Sequence, residues 1–488
     1  MRTFVRYSVY LILFVVASCS KPGNNYLTTG TLPDIFPDYC GVSVPSNIAP
    51  LNFKLLDSPG RIYVLFKGKN GDLGVSGKQK IRIPVRTWHK FLSRNADDTL
   101  TFEIFTRQKD KWKKYNPVEI YIKKERADPW LVYRLIAPGY ESWSEMGIYQ
   151  REISTFKVRN IVNNKVLPGT CMNCHSFRNN SPGDMVFHLR GTIGATMLLH
   201  DGEILKLDTR TAGTISNCIY PYWHPSGNYI AFSVNNISQI FHSIQEKRTE
   251  VFDSKSDLVI YDIKNNKLIT SDLISSDQSF ETFPAFSPDG NSLFFCSAEQ
   301  AIMPDNYDNI KYSLCTISFD PVNARFGDQV DTIVSALTTG KSISFPRISP
   351  DGRYLVFTLS DYGNFSIWHR EADLYQLNLE TGETKPASAL NSRETESYHS
   401  WSSNSRWLVF SSRRTDGLYT QPFLAYIDEK GNFSKPFLLP QRDPDLYFNM
   451  LRSFNVPEFI TAKIEVSRLA LFKSIGSASK NVNFEVAK

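Results

Sequence analysis

Apolar and polar residues alternate with a period of two through most of this chain, the pattern of strands that bury one face. Between residues 41 and 155 the runs are "RIYVLFKG", "KIRIPVRTW", "LTFEIFTRQ", "PVEIYIKK" and "WLVYRLI". The turns between them are short and no repeat is evident, which predicts a small antiparallel β-sandwich over 41–155. Residues 156–180 then read as a connector.

After residue 180 the alternation becomes periodic on a longer scale. The copies are "YPYWHPSGNYIAFSVN" (220–235), "FPAFSPDGNSLFFCS" (283–297), "FPRISPDGRYLVFTLS" (345–360) and "YHSWSSNSRWLVFSSRR" (398–414). Each is an aromatic-rich strand, a tight turn and a second apolar strand. Pro presets φ, Asp caps locally and Gly accepts positive φ, so Pro-Asp-Gly is turn chemistry. The turn positions are Gly227, Gly290, Gly352 and, in the copy that lacks Pro-Asp-Gly, Ser405. A weaker copy, "NSPGDMVFHLRG", carries Gly183. A further strand ending in a polar turn follows each copy. Repeats of this length built from four short strands are propeller blades, which must stack in a ring because one blade cannot bury both faces. Five blades are visible. The prediction is an all-β chain, with a six-bladed propeller over 181–488 whose sixth blade combines strands before residue 180 with the C-terminal "VNFEVAK".

The first residues break the alternation. Arg2 and Arg6 precede an apolar run from Val9 to Ala17, and "VASC" places two small residues before Cys19. This reads as a signal peptide over 1–18 with a lipidated Cys19 and a polar tether over 19–40. An ordinary signal peptide or an N-terminal anchor helix is the alternative. The expected place is the cell envelope, anchored by lipid to the outer membrane and facing the periplasm. The 55 basic and 49 acidic residues give a net charge of +6, and the dense basic stretches are confined to 107–114 and 122–126. These read as solvated strand faces, and export argues against a nucleic-acid role.

Seven cysteines add the chemistry. Cys171, Cys174 and His175 form C-x-x-C-H, the attachment pattern of a c-type haem: the thiols add to the vinyl groups and the histidine reaches the iron. A structural disulfide, a redox dithiol and a metal half-site remain open, although the βαβ context of a thioredoxin-like dithiol is missing. Cys40, Cys218, Cys296 and Cys315 form no second C-x-x-C, which argues against a four-cysteine zinc site. Candidates for a sixth iron ligand are Met185, His188, Met197, His200, His242 and Met450. His188 is preferred, because strand alternation sends Met185 and Phe187 to one face and His188 to the other, outward toward the connector. His224, His369 and His399 read as partners of polar groups between blades. Arg413, Arg414 and Asp416 read as an inter-blade ion-pair cluster or an anion site near the channel. No Ser-His-Asp order, paired-carboxylate motif or G-x-S-x-G is legible, so an enzyme is the weakest class.

The "SPDG" copies resemble the repeats of TolB-type propellers, also called PD40 or WD40-like. Taken with "CMNCHSF", "DMVFHLRG", "FSIWHREADLY" and "TESYHSWSSNSRWLVFSSRRTDG", residues 130–460 resemble a family of Bacteroidetes lipoproteins described as TolB-like propellers or cytochrome c-related. The resemblance implies fold and compartment, and no reaction. Two functional classes follow. One is an envelope propeller with a covalent haem at Cys171, Cys174, His175 and His188, serving electron transfer or redox sensing with a protein partner. The other is a propeller that binds a protein or glycan, with a structural disulfide in place of the haem.

Overall fold

The computed structural model describes residues 21–23, 25–57, 60–108, 111–137, 145–242 and 249–486. The predicted signal peptide and Cys19 lie outside them. No helix among the described residues is long and apolar enough to cross a membrane.

Among the described residues six sheets form the propeller, each with four antiparallel strands and two of them with a fifth, parallel strand at the outer edge. Blade II runs outward through Thr170–Phe177, Met185–Gly191, Ala195–His200 and Glu203–Asp208. Blade III starts at Cys218–Trp223, blade IV at Ser279–Phe286, blade V at Ser342–Ile348 and blade VI at Glu396–Trp401. Blade I takes its inner strand, Ser453–Ile460, from late in the chain. Its outer three strands, Trp130–Ile136, Met146–Glu152 and Val158–Asn163, come from much earlier. Each innermost strand touches the next, and that of blade I touches both blade VI and blade II, so the ring closes. Closure through strands from distant parts of the chain fastens the ring by backbone hydrogen bonds.

This corrects the expected boundaries. Residues 130–163 belong to the propeller, and the segment read as a connector contains a blade I strand and the innermost strand of blade II. The alternation of a sandwich strand and of a blade strand is the same, so periodicity alone could not divide them. The C-terminal "VNFEVAK" does not complete blade I. Instead Lys480–Asn481 and Asn483–Val486 add parallel strands to the outer edges of blades II and III.

The turns behave as their residues predict. Gly227, Gly290 and Gly352 have φ of 81°, 78° and 74°, and Ser405 takes the same left-handed conformation at 58°. The Ser405 hydroxyl accepts from the Asp351 amide of the previous blade at 3.0 Å, which offsets part of the strain of a non-glycine there.

Ten N-terminal strands form one hydrogen-bonded network around the helix Val85–Arg94, which buries Trp88, Phe91 and Leu92. The core of this domain is continuous with that of blade VI. Trp407 donates its indole N–H to Glu125 O at 3.0 Å, and Asp128 accepts from the Ser403 amide and hydroxyl at 2.7 and 2.6 Å. The domain is therefore packed against the ring rather than hung from it.

Candidate functional site

All six innermost strands carry the same β-bulge. One non-glycine residue in each has φ between 49° and 54°: Val456, Cys174, Tyr220, Phe283, Phe345 and Tyr398 in blades I to VI. The register slips at this place in every blade. A bulge re-aims side chains that strict alternation would send to the opposite face. Proline follows in blades I, III, IV and V, and histidine follows in blades II and VI, as His175 and His399. The C-x-x-C-H motif thus lies where the blades meet the central axis.

The bulge residues decide where the axis is open. Tyr220, Phe283, Phe345 and Tyr398 follow one another ring against ring, at centroid distances of 4.6, 4.0 and 4.8 Å. Cys174 and Val456 are smaller and leave room. A cavity of about 640 Å³ opens beside them, and Cys171, Cys174 and His175 all line it. That volume is within the range of small-molecule and cofactor sites, roughly 300–1,000 Å³. Residues three apart on a regular strand would face opposite ways; the bulge brings Cys171 and Cys174 to one cavity.

His175 is 2% exposed, and neither ring nitrogen has a hydrogen-bond partner. Burial, reinforced by the charge of Arg134 and only partly opposed by the Val456 backbone beside the ring, pushes its pKa down to about 3, so the ring is neutral. Cys171 and Cys174 are 5% and 6% exposed and are held as separate thiols. Burial raises both pKa values, while Arg134 and Arg190 act in the opposite direction.

Two other histidines have paired ring nitrogens, although the Nδ1 of His399 has no partner. His399, at the equivalent bulge of blade VI, also lines the cavity, but its Nε2 meets the Val356 carbonyl at 2.8 Å. His224 bridges blades III and IV through Gly290 O at 3.0 Å.

The structure does not bring His188 to the cavity. It lies on the second strand of blade II, directly across from Asn173, at 3% exposure. It is buried rather than turned outward, and the residue of that strand that reaches the cavity is Arg190. Met185 and Met197 belong to the apolar core between blades I and II, His200 is held by Asp184 at 2.7 Å, and Met450 packs against the N-terminal core. None of these, nor His242, lines the cavity. His399 does, and the parallel between Tyr398-His399 and Cys174-His175 was the sequence signal for it. The Arg413–Arg414–Asp416 group divides: Arg414 pairs with buried Glu396 at 3.0 Å, whereas Arg413 and Asp416 line the cavity. Arg413 also stacks on Trp368 at 4.7 Å.

One end of the cavity is bounded by Arg347 and Glu458, which also line a second space of about 260 Å³. Burial raises the Glu458 pKa to about 8 against the opposing charge of Arg347. Elsewhere the wall includes Thr249 and Val251, from the long hairpin of blade III formed by Tyr229–Phe241 and Thr249–Asp262. This hairpin is latched to blade V. Tyr362 donates to Glu250 at 2.8 Å, His369 lies 3.3 Å from Glu250, and Asn364 donates to Asp253 at 2.5 Å. Burial would lower the His369 pKa, but Glu250 and Glu371 outweigh it and hold it at about 9.

No protein-family profile matches the chain, and no curated protein matches it. Solved structures with similar architecture include TolB from Acinetobacter baumannii, at 12% identity over 77% of this chain and 85% of that one, with a TM-score of 0.43. Prolyl oligopeptidase B from Galerina marginata matches at 9% identity and a TM-score of 0.34, over 68% of this chain and 41% of that one. An oligogalacturonate lyase in complex with manganese matches at 12% identity and 0.30, over 68% and 86%. These are likenesses of fold alone, and the six blades stand on the strand pairing of this chain.

Proposed function

We propose that this propeller carries one c-type haem in its central cavity, which Cys171 and Cys174 would attach and His175 would ligate. The observation that carries the reading is the orphaned imidazole of His175, buried beside two free thiols on a cavity of cofactor size. A buried ring with no partner costs stability unless something binds it, and a neutral imidazole is the form that ligates metal. When bound, the haem supplies a one-electron couple. The chain supplies the rest. The bulge aims the thiols and His175 together, the aromatic ring residues exclude water from one side, and the blade III hairpin walls part of the cavity. Electron transfer or redox sensing with a protein partner is the role this supports, in an envelope protein held by lipid on Cys19 and facing the periplasm.

The rival is a binding propeller in which Cys171 and Cys174 form a disulfide. The bulge at Cys174 recurs in five blades without cysteine, so the backbone there does not by itself require a haem. Absorption spectroscopy separates the readings. Protein exported in a host able to mature cytochromes is expected to keep its Soret band after acid–acetone extraction. Complete loss of colour on extraction, or a colourless product, overturns the haem reading.

A further inference from the structure

Arg134 and Arg190 are isolated cations in otherwise apolar strands, "WLVYRLI" and "MVFHLRG". Both line the cavity on either side of the motif strand, Arg134 from blade I and Arg190 from blade II. Arg134 is 6% exposed, and its Nε has no hydrogen-bond partner. Its Nη2 donates to the side-chain oxygen of Asn455 at 3.1 Å, with that amide turned to accept.

The nearby acids make their closest contacts with other groups, although Glu458 Oε2 and Asp253 Oδ1 have no hydrogen-bond partner. Glu394 pairs with Arg370 at 2.9 Å, and Glu458 faces Arg347. Asp416 accepts from the Leu418 and Tyr419 amides at 2.8 and 2.9 Å. Asp253, whose field reaches Arg190, is held by Asn235 and Asn364 at 2.6 and 2.5 Å. Among the described residues neither Arg134 nor Arg190 has a carboxylate within ion-pair distance. A buried guanidinium without a counter-charge is costly, whereas one facing a carboxylate makes bidentate charge-assisted bonds. The wall is mixed: Val251, Phe345, Phe365 and Ile367 give it an apolar and aromatic part, and Arg347, Arg370 and Arg413 add further cations. A wall that combines aromatic surface with two guanidinium groups lacking an ion-pair partner suits a ligand that has an aromatic body and carboxylate arms.

We infer that Arg134 and Arg190 form an anion-binding pair that takes the two propionate carboxylates of the haem and orients it against His175. This rests on the haem reading above and assigns the polar end of the same site.

The test uses the full chain made without cytochrome maturation and kept reduced, titrated by absorbance with haemin and separately with haemin dimethyl ester, which has no free carboxylate. Haemin is expected to bind more tightly than the ester by on the order of tenfold or more, the effect of charge-assisted hydrogen bonds. The double variant Arg134→Gln, Arg190→Gln is expected to bring haemin down to the affinity of the ester and leave the ester unchanged. The unmodified chain alone suffices should that variant fold poorly. Equal affinity for haemin and ester on the unmodified chain overturns the arginine assignment and leaves the haem reading standing. Binding of neither porphyrin overturns the haem reading and the arginine assignment together.

Discussion

The innermost strands of blades II and VI share a backbone and differ in chemistry. Both place a histidine directly after a bulge residue of positive φ, Cys174-His175 in one and Tyr398-His399 in the other. His399 is tied to Val356 O and serves the packing between blades V and VI. His175 makes no well-formed hydrogen bond, has only the Val456 backbone beside its ring, and is flanked by two thiols and an open cavity. The bulge is a property of the propeller, repeated six times, and what is set upon it varies. Four blades put an aromatic residue there, and Tyr220, Phe345 and Tyr398 form part of the cavity wall. Blades I and II put the smaller Val456 and Cys174 there. The lesson is that a C-x-x-C-H motif can occupy a structural device without altering it.

The largest expected effect is on cofactor content. Cys171→Ala with Cys174→Ala should abolish covalent haem while the propeller folds, because five other blades make the same bulge without cysteine. In-gel haem staining and far-UV circular dichroism read the two halves of this statement. A variant that fails to fold would show that blade II depends on its thiols in a way the other blades do not.

Next comes the aromatic side of the axis. Phe283→Ala should destabilise the protein by about 3–5 kcal/mol, the usual cost of emptying a buried aromatic site. Phe283 is 1% exposed and packs between Tyr220 and Phe345. Denaturant unfolding measures it, and a loss under about 1 kcal/mol would mean that the aromatics around the axis are not closely packed.

The paired histidines should then separate. In protein without haem, His399→Ala should cost about 1–3 kcal/mol, since it leaves the Val356 carbonyl buried and unpaired. His175→Ala breaks no well-formed hydrogen bond and should stay within about 1 kcal/mol of the parent. Equal losses would erase the distinction between the two blades.

The smallest effect is the pH dependence of the hairpin latch. The folded pKa of His369, about 9, is above its unfolded value of 6.5. The latch contribution is therefore complete below pH 6.5 and is lost as pH rises through 9. Hydrogen exchange in Thr249–Asp262 should quicken over that window, and His369→Gln should flatten the dependence. Exchange that slows with rising pH, after correction for its intrinsic rate, would reverse the sign.

Much of the ring was legible in sequence because its turns are local. Pro-Asp-Gly marks Gly290 and Gly352 directly, and Ser405 could be aligned by spacing. Blade I was not legible. Its inner strand at 453–460 pairs with 130–136 across most of the chain, and neither segment carries the turn motif. The motif strand 170–177 was read as a connector because the bulge breaks its alternation at Cys174. Yet the sequence held a signal that was missed: "YP", "FP", "FP", "VP", with "CH" and "YH" at the same place. Aligning those pairs would have located the axis and shown His175 and His399 as equivalents. Strand alternation puts His188 and Arg190 on the same face but is silent on how far along the strand the cavity lies. Packing between distant segments decides that, and Arg190 is the residue at the cavity.

Intact-mass spectrometry of the denatured protein, exported in a cytochrome-maturing host, tests the central claim most directly. The account predicts a chain heavier by one haem, with the added mass on the peptide that contains Cys171 and Cys174. A chain at its unmodified mass, or lighter by the pair of hydrogens lost on forming a disulfide within that peptide, would contradict it.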